Sequence, residues 1–231
     1  MAIIKLGALV AGIRGTVGGV TFSASGAGPN ARLWSKGSNP RSNGQSSQRG
    51  RFSMMPDGWR ALTNTQRDDW AAWAADPAQE KTNSLGEPYF LNGYQWFVAI
   101  NTNLLRAGFS PRDDPPTDTW PAAPVIDLFT FAEVASVFTC EITYDPAEFP
   151  SGVGIVIFAA FIPRGGRQVQ YNGYRLLIDG IASPTGTYDF AIEFADQFGT
   201  PQVGDRAFLQ VHKQNDQGMR GPMWTTFESY S

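Results

Sequence analysis

The chain has 231 residues, 42% of them apolar and 17% charged, which is enough to bury a core in one large or two ordinary domains. Its 25 glycines and 16 prolines exceed the usual share of turn formers, favouring short strands and ordered loops over a helical bundle. The single cysteine, Cys140, excludes an intrachain disulfide, and no run reaches the roughly eighteen apolar residues of a spanning helix.

Residues 2–10 and 16–24 are β-prone runs, and Gly12 and Gly15 between them suit a tight connection, so a hairpin is expected. A third short strand is expected at 31–36. Three small glycine-bearing strands bury little by themselves, so this region calls for a partner surface. Residues 35–51 are polar and without period, and read either as a flexible linker or as an arm laid on a neighbour. A helix over 49–62 would be kinked or ended by Pro56 and Gly58.

Thr63 and Gln66 fit a capping box, which predicts a helix over 64–75 with Trp70 and Trp73 on one face and Pro77 as its stop. A second helix is predicted over 93–107, where Trp96, Phe97, Ile100 and Leu104 make an apolar stripe and Gly108 supplies the end. The two helices are expected to pack through their tryptophans, with Trp59, Trp70, Trp73 and Trp96 as structural residues. Residues 109–124 carry five prolines and read as a semi-extended linker. Beyond it, strands are predicted at 125–131, 134–144, 154–162, 174–181, 187–194, 205–214 and 223–229, the arithmetic of an immunoglobulin-like or fibronectin type III-like seven-stranded β-sandwich. Alternation places Phe138, Cys140, Ile142 and Tyr144 on one face, with Cys140 as a small core residue. The expected organisation is therefore α+β and mainly β: a basic β-hairpin and arm over 1–50, a helical middle over 51–108, the linker over 109–124 and the sandwich over 125–231.

Charge is unevenly placed. Lys5, Arg14, Arg32, Lys36, Arg41, Arg49, Arg51 and Arg60 face only Asp57, so residues 1–60 carry +7 and the remainder −10 within a net −3. The two parts should meet different surroundings, and Arg14, Arg32, Trp34, Arg41, Arg49 and Arg51 are the candidate partner-binding residues. Nucleic acid is a lesser reading, because the charge is spread over fifty residues without a basic helix.

Catalytic signals are weak. The sole histidine, His212, sits in a predicted strand beside Lys213, which favours a structural role over a base. One Cys and one His cannot build a zinc site. Asp68 and Asp69 suit the start of a capped helix, and Asp113 and Asp114 lie in the linker. The glycines at 12, 15, 18 and 19 lack the strand, helix and Lys-Ser/Thr pair of a phosphate-binding loop. No enzyme, cofactor or metal site is expected. Met1 to Val10, broken at Gly7, is too short for a signal segment, so a soluble product made in a cytoplasm is expected, without a membrane partner.

The blocks LGALVAGIRGTVGGVTFSASGAGPNAR, then Ser38-Asn39-Pro40-Arg41-Ser42, then WRALTNTQRDDWAAWA, then LNGYQWFVAINTNLLRAG, resemble in kind and order a family of uncharacterised proteins encoded in the structural gene regions of tailed phages and prophages. Members typically finish with a β-rich domain, and the block FGTPQVGDRAFLQVHKQNDQGMRGP is similar to the last hairpin of that domain. Met54 to Gly58 departs from the family's more continuous helix. The resemblance implies a bacteriophage virion structural protein, synthesised in the host cytoplasm, whose partners are other virion proteins and further copies of itself. A minor capsid or cement (decoration) protein anchored by its arm is the first expectation. The alternative is a tail or vertex-spike component whose sandwich adheres to the host surface through Arg164 to Arg167 and Asn215 to Gly221. No catalytic residue is carried over.

Overall fold

The computed structural model describes residues 2–3, 12–25, 28–35, 43–134, 137–150, 152–163, 174–181 and 186–230. The fold is mixed α+β and mainly β, with antiparallel sheets. The chain divides into two compact units. The first holds residues 1–99 and 112–115, the second 100–111 and 116–231.

In the first unit, β1 (Ala2–Ile3), β2 (Gly15–Val17), β3 (Val20–Ser25) and β4 (Gly28–Leu33) form a sheet in the order β1-β4-β3-β2. The hairpin differs from the expected one. Gly18 and Gly19 both take positive φ, 57° and 79°, which is what a two-residue hairpin turn needs, so the run 16–24 folds back on itself and Val17 pairs with Val20. The third strand lies at 28–33 instead of 31–36, and residues 4–10 of the expected first strand lie outside the described residues.

Helix α1 (Asn43–Ala61) begins inside the segment expected to be an arm and runs through Pro56. Proline removes one hydrogen bond, but Met55, Trp59 and Leu62 recur at helical spacing, and Met55 and Leu62 are buried, so packing outweighs the lost bond. Helix α2 (Asn64–Ala74) starts at the capping box: the Gln66 amide donates to the Thr63 hydroxyl at 3.2 Å and the Thr63 amide donates to Gln66 Oε1 at 3.0 Å. Arg67 closes the end of α1, donating to the carbonyls of Arg60 at 2.8 Å and Trp59 at 3.3 Å. A short hairpin of β5 (Lys81–Thr82) and β6 (Pro88–Tyr89) follows. Helix α3 (Gly93–Arg106), which belongs to the second unit from Ile100 on, opens on a second box, Asn92 with Gln95, and closes at Gly108, φ 81°, where the Phe109 amide reaches the Leu104 carbonyl.

The aromatic rings hold the helices of this unit. Trp59 meets Phe97 at 5.3 Å, Trp70 meets Phe97 at 5.6 Å and Trp73 meets Trp96 at 5.4 Å, all edge to face. Trp70 is fully buried, and its indole N–H donates to the Asp113 carbonyl at 2.7 Å. A part of the expected linker, Arg112 to Pro115, thus serves as a hydrogen-bonding partner for this helix pair.

The second unit contains β7 (Leu128–Val134), β8 (Val137–Thr143), β9 (Val153–Ile162), β10 (Arg175–Ile181), β11 (Thr187–Asp189), α4 (Ala191–Phe198), β12 (Arg206–Asn215) and β13 (Arg220–Ser229). They form one sheet in the order β11-β8-β7 and another in the order β10-β9-β12-β13. Phe129, Phe131, Cys140 and Ile142 from the first share one buried cluster with Ile155, Ile157, Leu209 and Val211 from the second. The expected fifth strand, 187–194, is a strand only to Asp189. Phe190, Phe194 and Phe198 recur every four residues, so a helix turns all three toward that cluster, and Asp189 accepts the Ala191 amide at its start.

Two glycines of the first unit separate packing from propensity. A Cβ at Gly93 would lie 2.9 Å from the backbone of Trp70, whereas one at Gly50 meets nothing within 4 Å. Gly93→Ala should therefore destabilise by roughly 1–3 kcal/mol, while Gly50→Ala, in an exposed stretch of α1, should stabilise by roughly 0.5–1 kcal/mol. Denaturant unfolding of the two variants checks the opposite signs.

Candidate interaction surface

The register of the first sheet sorts its side chains between two faces. Val17, Val20, Phe22, Ala24, Pro29, Ala31 and Leu33 share one face, and Thr16, Thr21, Ser23, Asn30 and Arg32 share the other. Hydrogen bonds follow the same division: Thr16 and Thr21 hydroxyls meet at 2.9 Å, and Ser23 donates to Asn30 at 2.6 Å. The apolar face is open to solvent beside the Gly18-Gly19 turn, with Val17 70% and Leu33 80% exposed, while Val20, Phe22, Pro29 and Ala31 are half-buried. Burying such a face is the main driving force available to a sheet, and among the described residues this one is covered only in part.

The candidate partner-binding residues gather only in part. Arg14 is exposed just before β2, Arg32 is exposed on β4, and Trp34, 64% exposed, extends that strand by donating its amide to the Gly19 carbonyl. Arg49 and Arg51 lie on α1, the first exposed and the second half-buried. Arg41 lies outside the described residues. Of the tryptophans, Trp70 and Trp96 are buried and Trp59 and Trp73 half-buried, all four within the aromatic set of the helices. The apolar face itself went unread in the sequence; its signal is the alternation of Val20, Phe22 and Ala24 with Thr21 and Ser23, legible once Gly18-Gly19 is taken as the turn.

Other candidate groups have structural positions. His212 is half-buried in β12, donates from Nδ1 to the Gly221 carbonyl at 3.0 Å and meets the Phe158 ring edge-on, and burial holds its pKa below the usual histidine value. Burial, then the charge of Asp189, pushes the Cys140 thiol far up, which leaves it inert. Asp113 and Asp114 accept hydrogen bonds from α2, Asp113 through its carbonyl and Asp114 through its carboxylate from Gln66. No cluster of three His, Cys, Asp or Glu suits a metal, and no helix is long and apolar enough to cross a membrane, among the described residues. An open groove of ≈ 450 Å³ beside α2 is lined by Ala71, Ala74, Phe90, Leu91 and their neighbours, with no titratable side chain in the lining.

The turn Asn215 to Gly221, expected to carry recognition, is committed elsewhere. Met219 and Asn215 are buried, Asn103 of α3 donates to the Gly218 carbonyl, and the Thr117 amide is held by Gln217. A Cβ at Gly218 would lie 2.7 Å from the Ile100 carbonyl and one at Gly221 2.3 Å from the Pro121 carbonyl. Arg164 to Arg167 lie outside the described residues.

No family model matches the chain, and no match was found among the curated proteins or the solved structures.

The pair Glu148 and Lys213 gives the second unit a measurable acid limit. Lys213 donates to Glu148, and this bond, with a second from the Val125 amide, holds the carboxyl below the usual carboxylate range. A depressed carboxylate contributes stability that is present above its unfolded pKa and lost as pH falls through its folded one; a depressed histidine likewise loses stability as pH falls below its unfolded value, about 6.5. Acidification should therefore destabilise the protein in two steps. His212→Gln should remove the upper one and Glu148→Gln the lower one, as read by thermal melts between pH 3 and pH 8.

Proposed function

We propose that the chain is a structural protein of a bacteriophage virion, a minor capsid or cement (decoration) protein that anchors to neighbouring subunits through its N-terminal region. The observation that carries this is the contrast between the two sheet systems. The C-terminal sheets cover each other's inner faces, whereas the N-terminal sheet presents Val17 and Leu33 to solvent beside Arg14 and Arg32. A segment built to be covered by something else is what an assembling subunit needs, and the order of sequence blocks resembling phage structural proteins supports the virion as its setting.

The second unit reads as a fibronectin type III-like sandwich. Its order β7-β8-β11 opposite β10-β9-β12-β13 is that of strands A, B and E opposite C′, C, F and G, with α4 inserted before the sixth strand. The alternative, a tail or vertex component adhering to the host, draws support from the outward face of the four-stranded sheet. There Phe227, 56% exposed, stacks on Phe208 at 5.4 Å.

Deleting residues 1–35, which spares α1 entirely, should abolish incorporation while leaving the soluble chain folded. Particles purified from cells expressing the truncated form should lack it on an immunoblot and carry the full-length form over the whole capsid by immunogold. Label confined to the tail would favour the alternative, and full incorporation of the truncated chain would refute anchoring by this region.

A further inference from the structure

Helix α1 sets Pro56, Trp59 and Arg60 three and four residues apart on one face, and the first turn of α3 brings Tyr94 against them, all within the first unit. The four side chains line an open notch of ≈ 260 Å³. Trp59 is half-buried and Tyr94 37% exposed; their ring centroids lie 5.5 Å apart and their planes meet at 66°, which gives the notch aromatic walls. Every polar side chain in it can donate a hydrogen bond. Among the described residues neither the Trp59 indole N–H nor the Tyr94 hydroxyl meets a hydrogen-bond partner. Arg60 gives one of its N–H groups to Asp57 at 2.9 Å and keeps the others for a ligand. The acceptors of the same helix turn are engaged: Arg67 donates to the Trp59 and Arg60 carbonyls, and Arg60 holds the Asp57 carboxylate.

We infer that this notch binds a proline-rich segment of another protein in the extended polyproline conformation. Proline has a carbonyl but no N–H, so such a segment offers acceptors and hardly any donors. That is the electrostatic complement of the Trp59, Tyr94 and Arg60 donors. Its rings pack on the aromatic walls, and its preformed backbone loses little freedom on docking, which lets a shallow site hold it. Two other ligand classes fit less well. A saccharide hydroxyl needs acceptors as well as donors, and the acceptors here are taken. An organic cation, which aromatic walls also attract, would be repelled by Arg60. The chain's own proline-rich stretch is not the occupant: Pro115 is half-buried and Pro116 buried, and Asp113 and Asp114 beside them already serve α2. The site goes beyond anchoring through the N-terminal sheet, since it uses none of residues 1–35 and is a property of the purified chain.

Fluorescence anisotropy of a labelled decaproline peptide added to the full-length chain tests this. Unlabelled decaproline, a glycine-serine peptide of equal length and maltohexaose serve as competitors. Decaproline should bind saturably and be displaced by unlabelled decaproline alone. Tyr94→Ala should abolish binding. Tyr94→Phe, which removes only the hydroxyl, should weaken it roughly three- to tenfold, the loss of one hydrogen bond. Arg60→Gln, at a side chain 76% exposed, should weaken it to a similar degree. Circular dichroism should show all three variants folded, and the two milder ones keep the test decisive if Tyr94→Ala is not. In heteronuclear spectra, the indole N–H signal missing from Trp59→Phe should be one that shifts when decaproline is added to the unaltered chain. No binding at about 1 mM peptide would overturn the inference. So would folded Tyr94→Ala binding as tightly as the unaltered chain, full affinity in both milder variants, or displacement by the glycine-serine peptide or by maltohexaose.

Discussion

How many faces of each sheet are covered decides where stability resides in this protein. A β-sheet presents two faces, and an apolar face left in water forfeits most of what burial contributes. The C-terminal unit covers its inner faces completely: Ile142, Ile155, Ile157, Leu209 and Val211 are fully enclosed, and α4 adds Phe190 and Phe194. The N-terminal sheet has the same alternation of apolar and polar positions, but among the described residues Val17 and Leu33 of its apolar side are exposed and Val20, Phe22 and Ala31 only half-buried. Hydrogen bonds between its strands and the Thr16–Thr21 and Ser23–Asn30 pairs hold its register. Those bonds add only modest net stability, so the covering layer must come from outside the sheet.

The helical part of the first unit solves the same problem differently. Trp59, Trp70, Trp73 and Trp96 contribute large apolar area, and their edge-to-face contacts with one another and with Phe97 fix how the helices cross. The backbone is cut to fit. Gly93 lets α3 approach α2 within 3 Å of where a Cβ would stand, and Arg67 ties the last carbonyls of α1 to the start of α2. In the second unit Gly218 and Gly221 play the corresponding part, admitting the Ile100 and Pro121 carbonyls against the last hairpin. The proline-rich stretch therefore does not hang free. Its Asp113 serves Trp70, and its later residues lie along β13.

Features that depend on neighbouring residues were legible in the sequence. The Thr63 and Gln66 box, the stop at Gly108 and the inward face of Cys140, Ile142 and Tyr144 follow from local chemistry and periodicity. Features decided by distant contacts were not. Pro56 reads as a helix breaker until Met55 and Leu62 are seen to be buried. Phe190, Phe194 and Phe198 satisfy period two as well as period four, and only the space beneath the sheets selects the helix. The turn Asn215 to Gly221 has the polar composition of an exposed loop, yet the end of α3 buries it. Of the candidate surface, the arginines and Trp34 were visible as a charge imbalance, while the apolar face was hidden by placing the turn at Gly12 to Gly15 instead of Gly18-Gly19.

The central claim is that the N-terminal sheet draws its stability from association and not from its own chain. Native-state hydrogen exchange, resolved by residue, measures this directly on dilute monomer and on the assembled state. In the monomer, amides of Val20 to Leu33 should exchange many orders of magnitude faster than those of β9 and β12, and should become protected on assembly. Protection of Val20 to Leu33 in the dilute monomer equal to that of β9 and β12 would contradict the account.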